Sequence, residues 1–375
     1  MTERHVLVTG YPGFIARRLV KKLLAADRDL RLSLLVEPSQ EAAARQELQR
    51  LLDAGTTDLD AAERATLMVG DVTAMDLGLS GAEFRRLAEE VTEIFHLAAV
   101  HSLSADRRRQ EAVNVQGTAN VLSVARALGR LERLVHFSSA YVSGDRRGVI
   151  MEDELERGQQ FRNSYEATKH QAELLMERAK DRLPITVVRP SAVVGDSRTG
   201  EIDRFDSVYH LGMLLVASPV KIPIPLAGDG RAPLNLVPVD YVVDAVHALA
   251  CAPDTVGKTF HVVDPNPLPA RRVYEAIAER AGRRLPRLGV SPNLTKALLR
   301  IPGMERFAAV SHQAIDYLNH MAFYNSRNTM DALVGTGITC PRFEDYVENL
   351  MQYVRDYFDR AGRWRDVEGG AEERA

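Results

Sequence analysis

Lysine is nearly absent from this sequence. Seven of 375 positions carry it (21, 22, 169, 180, 221, 258 and 296), which leaves forty-one arginines among the 48 basic residues. Cysteine is scarcer still. Cys251 and Cys340 are too few for a disulfide framework and lack metal-ligand spacing, so a reducing cytoplasm is expected and a metal site is not. Long apolar runs are missing too. The most apolar long stretch, HLGMLLVASPVKIPIPLAG, is broken by Pro219, Lys221, Pro223 and Pro225 and does not make a spanning helix of about 20 residues. Neither sign of charge dominates: a net charge of −3 gives no general attraction to nucleic acid or to anionic membranes. The strand-like HVLVTG begins at His5 and leaves no room for a charged and then apolar leader, so no signal peptide is expected. There is no internal repeat.

What is present is an ordinary globular balance, 45% apolar and 26% charged residues, long enough for two domains or for one large α/β domain with an appendage. Six short runs read as strands: HVLVTG, RLSLLV, ATLMVGD, EIFHLAA, RLVHFSS and ITVVRPS. Each is nearly continuous in apolar residues, as expected where both faces of a sheet are covered. Helix-length segments at 13–26, 39–54, 82–90, 107–128 and 164–181 separate them. That alternation predicts an α/β fold, a Rossmann-type doubly wound parallel sheet with right-handed crossovers. Beyond Val194 the pattern changes. Residues 196–232 suggest loops with a short helix at 205–216; LNLVPV and TFHVV suggest two more strands around a helix at 240–250. The expected division is a dinucleotide-binding unit of 1–195 plus about 233–263. A smaller, mostly helical substrate-binding portion takes about 196–232 plus 264–361, and 362–375 forms a disordered tail. The last helix repeats Phe343, Tyr346, Val347, Leu350, Met351, Val354 and Phe358 on one face, a pattern for core or dimer contact rather than a membrane anchor.

Gly10, Gly13 and Ala16 in VLVTGYPGFIARRLV follow the first strand and open a helix. Gly10 allows the tight turn, Gly13 lets backbone approach a pyrophosphate on the helix N-terminus, and Ala16 allows close helix–sheet packing. A glycine triplet alone is a weak signal, but a strand before it and an amphipathic helix after it make a dinucleotide site. Glu37, at the end of the second strand, is placed to accept from the adenosine ribose hydroxyls, which favours NAD over NADP; Arg17, Arg18 and Arg45 are the cations that would offset it. Asp71 and Val72 are placed to contact adenine, with a turn-capping role for Asp71 as the alternative.

Tyr165 and Lys169, in NSYEATKHQAELL, share a helix face at i and i+4. An ordinary phenol of pKa near 10 exchanges protons poorly at neutral pH, and a nearby ammonium together with an oxidised nicotinamide is expected to lower it. The spacing by itself arises easily by chance on a solvated helix. Ser138 and Ser139 end the fifth strand at the sheet edge where such folds bind ligands, and a serine there can hold a substrate carbonyl oxygen. Asn114 sits inside a predicted helix, where asparagine is unfavourable.

With TGYPGFIA, GDV, HLAA, NVQGT, FSSAYVSG, YEATK and RPSAVVG in this order, the chain resembles the extended short-chain dehydrogenases/reductases over nearly its whole length. The resemblance implies Tyr165 as general acid/base, Lys169 as its partner, Ser139 as carbonyl polariser and Asn114 as a water-holding or structural member. Ser139 is preferred to Ser138 because the family's serine stands five residues before a glycine, here Gly144. The resemblance also implies cofactor contacts from Gly10, Tyr11, Pro12, Gly13, Phe14 and Ile15, from His96, Leu97, Ala98 and Ala99, from Tyr165 and Lys169, and from Pro190, Ala192 and Val193.

RPSAVVGDSRTGEIDRFDSVYHL and the closing FYNSRNTMDALVGTGITCPRFEDYVENLMQYV are similar to the fatty acyl-CoA reductase (male-sterility) and thioester-reductase branch. That implies an NAD(P)-dependent oxidoreductase acting on the carbonyl, alcohol or acyl thioester of an apolar small molecule, with Tyr209–Val216 and 219–226 as a substrate wall or an ordinary lid. A nucleotide-sugar epimerase or dehydratase is the alternative enzyme, although Ala192 and Pro233 replace that group's phosphate-region asparagine and arginine. A non-catalytic dinucleotide-binding regulatory protein is the alternative outside enzymes. A homodimer through the helices of Asn114 and Tyr165, with Val121, Leu122, Leu174 and Leu175 in contact, is expected from the family; packing of those residues on the sheet is the alternative.

Overall fold

The computed structural model describes residues 4–53, 61–101, 105–203, 229–282, 317 and 319–361. The expected helix at 205–216, the substrate wall of Tyr209–Val216 and 219–226, and the tail at 362–375 lie outside the described residues.

The central element is a seven-stranded, wholly parallel sheet. Its strands are β1 (His5–Thr9), β2 (Arg31–Val36), β3 (Ala65–Val69), β4 (Glu93–His96), β5 (Arg133–Phe137), β7 (Ile185–Pro190) and β10 (Thr259–Val262). They run in the order β10-β7-β5-β4-β1-β2-β3. The chain reverses direction of growth at β1, where β2 lies on one side and β4 on the other. This is the switch point at which doubly wound sheets open a crevice beyond their carboxyl ends. All six strands expected from apolar runs are present, and TFHVV supplies the seventh. The other late strand departs from expectation. Leu236–Pro238 (β9) leaves the main sheet and pairs with Ala192–Val194 (β8) in a two-stranded ribbon. A second ribbon joins β6 (Gly148–Ile150) to β11 (Ala322–Tyr324).

Helices cover both faces because the strands are apolar on both. One core unites β1, β2 and β10 with α1 (Phe14–Ala26), α2 (Glu41–Asp53) and α6 (Val239–Cys251), through Leu19, Leu23, Leu48, Val242 and Val246. The opposite core packs α3 (Gly81–Glu90), α4 and α5 (Ser164–Glu177) on the sheet through Leu87, Val121, Val124 and Met176. Here α4 is Gly117–Ala127, entered through Arg107–Gln110 and a π-helical turn at Glu111–Gln116. A third core lies to the side. It joins α7 (Ala270–Arg280) to α9 (Phe343–Ala361) through Val273, Ile277, Tyr346, Leu350 and Val354, so the apolar face of the last helix closes within the chain. Val121 and Leu122 are likewise buried beneath the sheet. They pack in the core beside the sheet within the chain. A short α8 (Arg327–Leu333) is held by Glu152, whose buried carboxylate accepts from Asn328 N at 2.7 Å and Thr329 Oγ1 at 3.1 Å. No helix among the described residues is long and apolar enough to cross a membrane.

Candidate active site

The carboxyl ends of β1, β4, β5 and β7 bring Gly10, Leu97, Ser139 and Pro190 to one edge of the sheet. Gly10 is at φ +86°, and a Cβ there would lie 2.7 Å from Ala98 N and 2.8 Å from Leu97 C. Only glycine lets β1 turn this close to the end of β4. Gly13 follows as an exposed N-cap to α1, with no side-chain cap and no acidic residue in the first turn. The first amides of α1 are therefore open to an anion, as a diphosphate requires. The crest fits the dinucleotide that the sequence implies. Pro12, Phe14 and Ile15 are half-buried along it. Tyr11 differs: its ring is buried in the core, so only its backbone faces the crest.

Glu37 is exposed directly after β2. The arginines that would oppose it are engaged elsewhere. Arg17 donates to Glu201 at 2.9 Å and also bridges Asp203 and, at 3.6 Å, Glu47. Arg18 stacks over the Phe14 ring at 4.2 Å and bridges Glu201 at 3.2 Å. Arg45 pairs with Glu41 one turn before it at 2.6 Å. Asp71 caps a turn, accepting from Thr73 N at 2.8 Å. Val72 is buried where α4 crosses, close enough that a Cβ on Gly117 would lie 3.0 Å from it. Ala98 and Ala99 remain half-exposed at the edge, as do Leu97, Ala192 and Val193, whereas Pro190 is buried. The His96 ring is buried, held between Thr9 Oγ1 at 2.8 Å and Thr118 Oγ1 at 3.0 Å. Its side chain is structural.

The α5 helix starts at Asn163, whose side chain accepts from Glu166 N at 2.9 Å. From that fixed start Tyr165 and Lys169 point to the end of β5. The Ser139 hydroxyl accepts from Tyr141 N at 3.3 Å and lies close enough to the Tyr165 phenol to lower its pKa. Lys169, buried, donates from Nζ to Phe137 O at 2.6 Å. Tyr165, Lys169 and Ser139 thus meet, as the sequence led one to expect.

Burial pushes the Tyr165 phenol above its ordinary value, against a smaller lowering by the Ser139 side chain and with a further rise from Glu166. Burial also pushes the Lys169 ammonium down to about 8, partly opposed by Glu173. Desolvation, invisible in a pairwise spacing, is the largest influence on each of the two groups.

Asn114 lies in the π-helical turn, where one extra residue per turn aims its amide inward. Its Oδ1 accepts from Val100 N at 2.8 Å, and its Nδ2 donates to Val100 O at 3.1 Å and to Thr168 Oγ1 at 3.0 Å. Both amide hydrogens are committed, and through them Asn114 ties the loop after β4 to α5.

The sequence reading missed Glu173 and Arg189. They form a fully buried, bidentate ion pair, with Arg189 Nη2 at 2.6 Å and Nε at 2.9 Å from Glu173 Oε1. Ser138 also donates to Glu173, which leaves Ser139 as the serine facing Tyr165. An arginine inside the apolar run ITVVRP, and a glutamate two turns after Tyr165, were the available signals.

Residues 8–246 match the family model of the male sterility protein, an NAD-binding family. Among solved structures, the chain is similar to the terminal R domain from the myxalamid PKS-NRPS biosynthetic pathway. Identity is 28% with a TM-score of 0.80, covering 97% of this chain and 92% of that one. Part of the linear gramicidin synthase of Brevibacillus parabrevis is 26% identical over 374 residues, 96% of this chain and 7% of that protein. Aldehyde reductase lnaA of Aspergillus flavus is 30% identical over 283 residues, 71% of this chain and 26% of that protein. The chain therefore spans about a quarter or less of the length of these curated relatives. Sheet order, glycine crest and family match together lead to one assignment: the chain belongs to the male sterility protein family, within the extended short-chain dehydrogenases/reductases.

Proposed function

We propose that the chain reduces the acyl group of a thioester carrying an apolar chain to the aldehyde, releasing the thiol, with NADH as hydride donor. The observation that carries this reading is the placement of Ser139 close to the Tyr165 phenol, beside buried Lys169, at the sheet edge next to the glycine crest. The near-complete overlap with the terminal R domain of a PKS-NRPS pathway supports the substrate class.

A reduced nicotinamide, when bound, supplies the hydride. The backbone from Gly10 to Ile15 would hold its diphosphate, Glu37 its adenosine ribose, and Ala98, Ala99 and the segment from Pro190 to Val193 the remainder. The chain's own residues do the rest. Ser139 Oγ donates to the substrate carbonyl oxygen and stabilises the charge that develops there. Tyr165, protonated at neutral pH because burial raises it, gives its proton to that oxygen. Lys169, with Nζ anchored on Phe137 O, holds a positive charge near the phenol as it gives up that proton. The product is a hemithioacetal, whose collapse breaks the C–S bond and leaves aldehyde and thiol. A nucleotide-sugar reading lacks its phosphate ligands: Ala192 lies in β8, and Pro233 forms an isolated bridge with Pro269.

The test is to mix purified chain with NADH or NADPH and a panel of acyl thioesters, ketones and nucleotide sugars, following the reduced-nicotinamide absorbance. Thioester-dependent loss with aldehyde formation is expected. In Tyr165→Phe, turnover should fall by about 10²–10⁴-fold with dinucleotide affinity nearly unchanged. Full activity in that variant removes Tyr165 from its role.

A further inference from the structure

Glu173 is a fully buried carboxylate beside the site and has no part in the chemistry above. It lies on α5, one turn beyond Lys169 and two beyond Tyr165. Its Oε1 accepts from Arg189 Nη2 at 2.6 Å and Nε at 2.9 Å. Its Oε2 accepts from Ser138 Oγ and, at 3.2 Å, from Arg189 Nε. Arg189 is held on its other side by His261 Nε2 at 3.1 Å and Glu152 O at 3.3 Å. One carboxylate therefore fastens the helix bearing Tyr165 and Lys169 to two strand ends, Ser138 in the residue before Ser139 and Arg189 in the residue before Pro190.

We propose that Glu173 is a positioning residue of the site. By bonding Ser138 it turns that hydroxyl away and presents Ser139 to Tyr165, and by bonding Arg189 it sets the height of α5 over β5 and β7. The inference rests on Tyr165, Lys169 and Ser139 being the reacting group. The geometry leaves little slack, because Lys169 Nζ reaches Phe137 O at 2.6 Å, one residue before Ser138. A slide of α5 would move both contacts together, and misplacement by about 1 Å can cost roughly a hundredfold in rate. The charge acts in the same direction. The titratable groups around Lys169 are Glu173 and Tyr165 on its own helix, His96 on β4 and His136 on β5; Arg189 stands on the far side of Glu173. Glu173 is the anion in that set that favours the ammonium, against burial that brings it down to about 8.

The scarcity of lysine makes a direct test practical. With ¹³Cε-labelled lysine the chain gives seven side-chain signals, and Lys169→Met assigns the one that matters. In Glu173→Gln, the Lys169 midpoint should fall by about one pH unit, and kcat should fall roughly tenfold to a hundredfold with KM for the thioester little changed. A purely structural ion pair is separated by Glu173→Leu combined with Arg189→Met, which removes both buried charges and should restore thermal stability. Low kcat and a lowered Lys169 midpoint in that double variant support positioning; natural values of both overturn it. If neither variant folds, Ser138→Ala decides, because it keeps every charge. A loss of kcat there with an unmoved Lys169 midpoint is expected, and an undiminished kcat overturns the proposal. Failure of the functional reading looks different. An active Tyr165→Phe would sink that reading, while the Lys169 titration would still report on Glu173.

Discussion

Replacing Gly10 by alanine probes the crest with a cost that can be worked from distances. The new Cβ would lie 2.7 Å from Ala98 N, 2.8 Å from Leu97 C and 2.9 Å from Ala98 Cα. All three are backbone atoms following β4, whose register with β1 pairs Thr9 with His96, so no flexible side chain can yield. Two terms add. A left-handed residue, here at φ +86°, costs about 1–2 kcal/mol when it carries a Cβ, and forcing a methyl into a packed site costs about 1–3 kcal/mol. Gly335→Ala is the matched control, since Gly335 has φ +81° but nothing within 4 Å of its added Cβ. It should lose only the first term. Urea unfolding should therefore show Gly10→Ala less stable than Gly335→Ala by about 1–3 kcal/mol. If the crest relieves the clash by moving away from β4, dinucleotide titration followed by calorimetry should show affinity reduced by roughly thirtyfold for a misfit of about 2 kcal/mol, with Gly335→Ala unaffected. Equal stability and equal affinity in the two variants would refute the claim that close approach of β1 to β4 shapes the dinucleotide site.

Two further outcomes follow from placement and burial. Glu37→Arg should move preference from NADH toward NADPH by about tenfold or more, measured as the ratio of kcat/KM values. Arg17, Arg18 and Arg45 are already paired with acids, so the new guanidinium would supply the charge that a 2′-phosphate needs; an unchanged ratio removes Glu37 from cofactor choice. Acid should destabilise the fold early. His96 and His261 are fully buried and both brought down to about 3, so below pH 6.5 the unfolded chain binds protons that the folded chain refuses, and stability falls by about 1.4 kcal/mol per pH unit for each. Urea midpoints measured from pH 7 to pH 4 should drop steadily below 6.5; a flat profile to pH 5 contradicts the burial of these rings.

The main sheet was legible because a parallel strand covered on both faces must be nearly continuous in apolar residues, as RLVHF and ITVV are. The ribbon of Ala192–Val194 with Leu236–Pro238 was not. Leu236 and Val237 look like any buried strand, and only the partner available in three dimensions decides which sheet they join. The π-helical turn at Asn114 was hidden for a related reason: a regular helical period was assumed, and the inserted residue changes the facing of one side chain without changing composition. Tyr165 and Lys169 could be paired from sequence since i and i+4 share a face by local geometry alone. Ser139 needed the count to Gly144, where a Cβ would fall 2.3 Å from Gln160 O, a long-range contact that the motif encodes without naming. Glu173 and Arg189 lie in separate segments, and only the crossing of α5 over β7 makes them one ion pair.

The raised pKa of Tyr165 bears on direction. Proton donation to a carbonyl oxygen needs a phenol, whereas alcohol oxidation needs a phenolate to accept the proton. Burial is the larger influence on Tyr165 and raises it, and Lys169, at about 8, loses its charge below the range in which an ordinary phenol ionises. At neutral pH both groups are therefore protonated, the state suited to reduction. As pH rises through about 8 the ammonium disappears first, which removes the charge that would have helped the phenol ionise and leaves oxidation without a base. Reduction of an acyl thioester should accordingly be fastest near or below neutrality and decline with an apparent midpoint near 8. The reverse reaction, hemithioacetal or alcohol to the higher oxidation state, should show no neutral optimum. Measuring both directions from pH 6 to pH 10 with saturating cofactor settles it: an oxidation rate that peaks at pH 7 would mean that Tyr165 ionises there, and the balance of burial against charge argued for α5 would have to be abandoned.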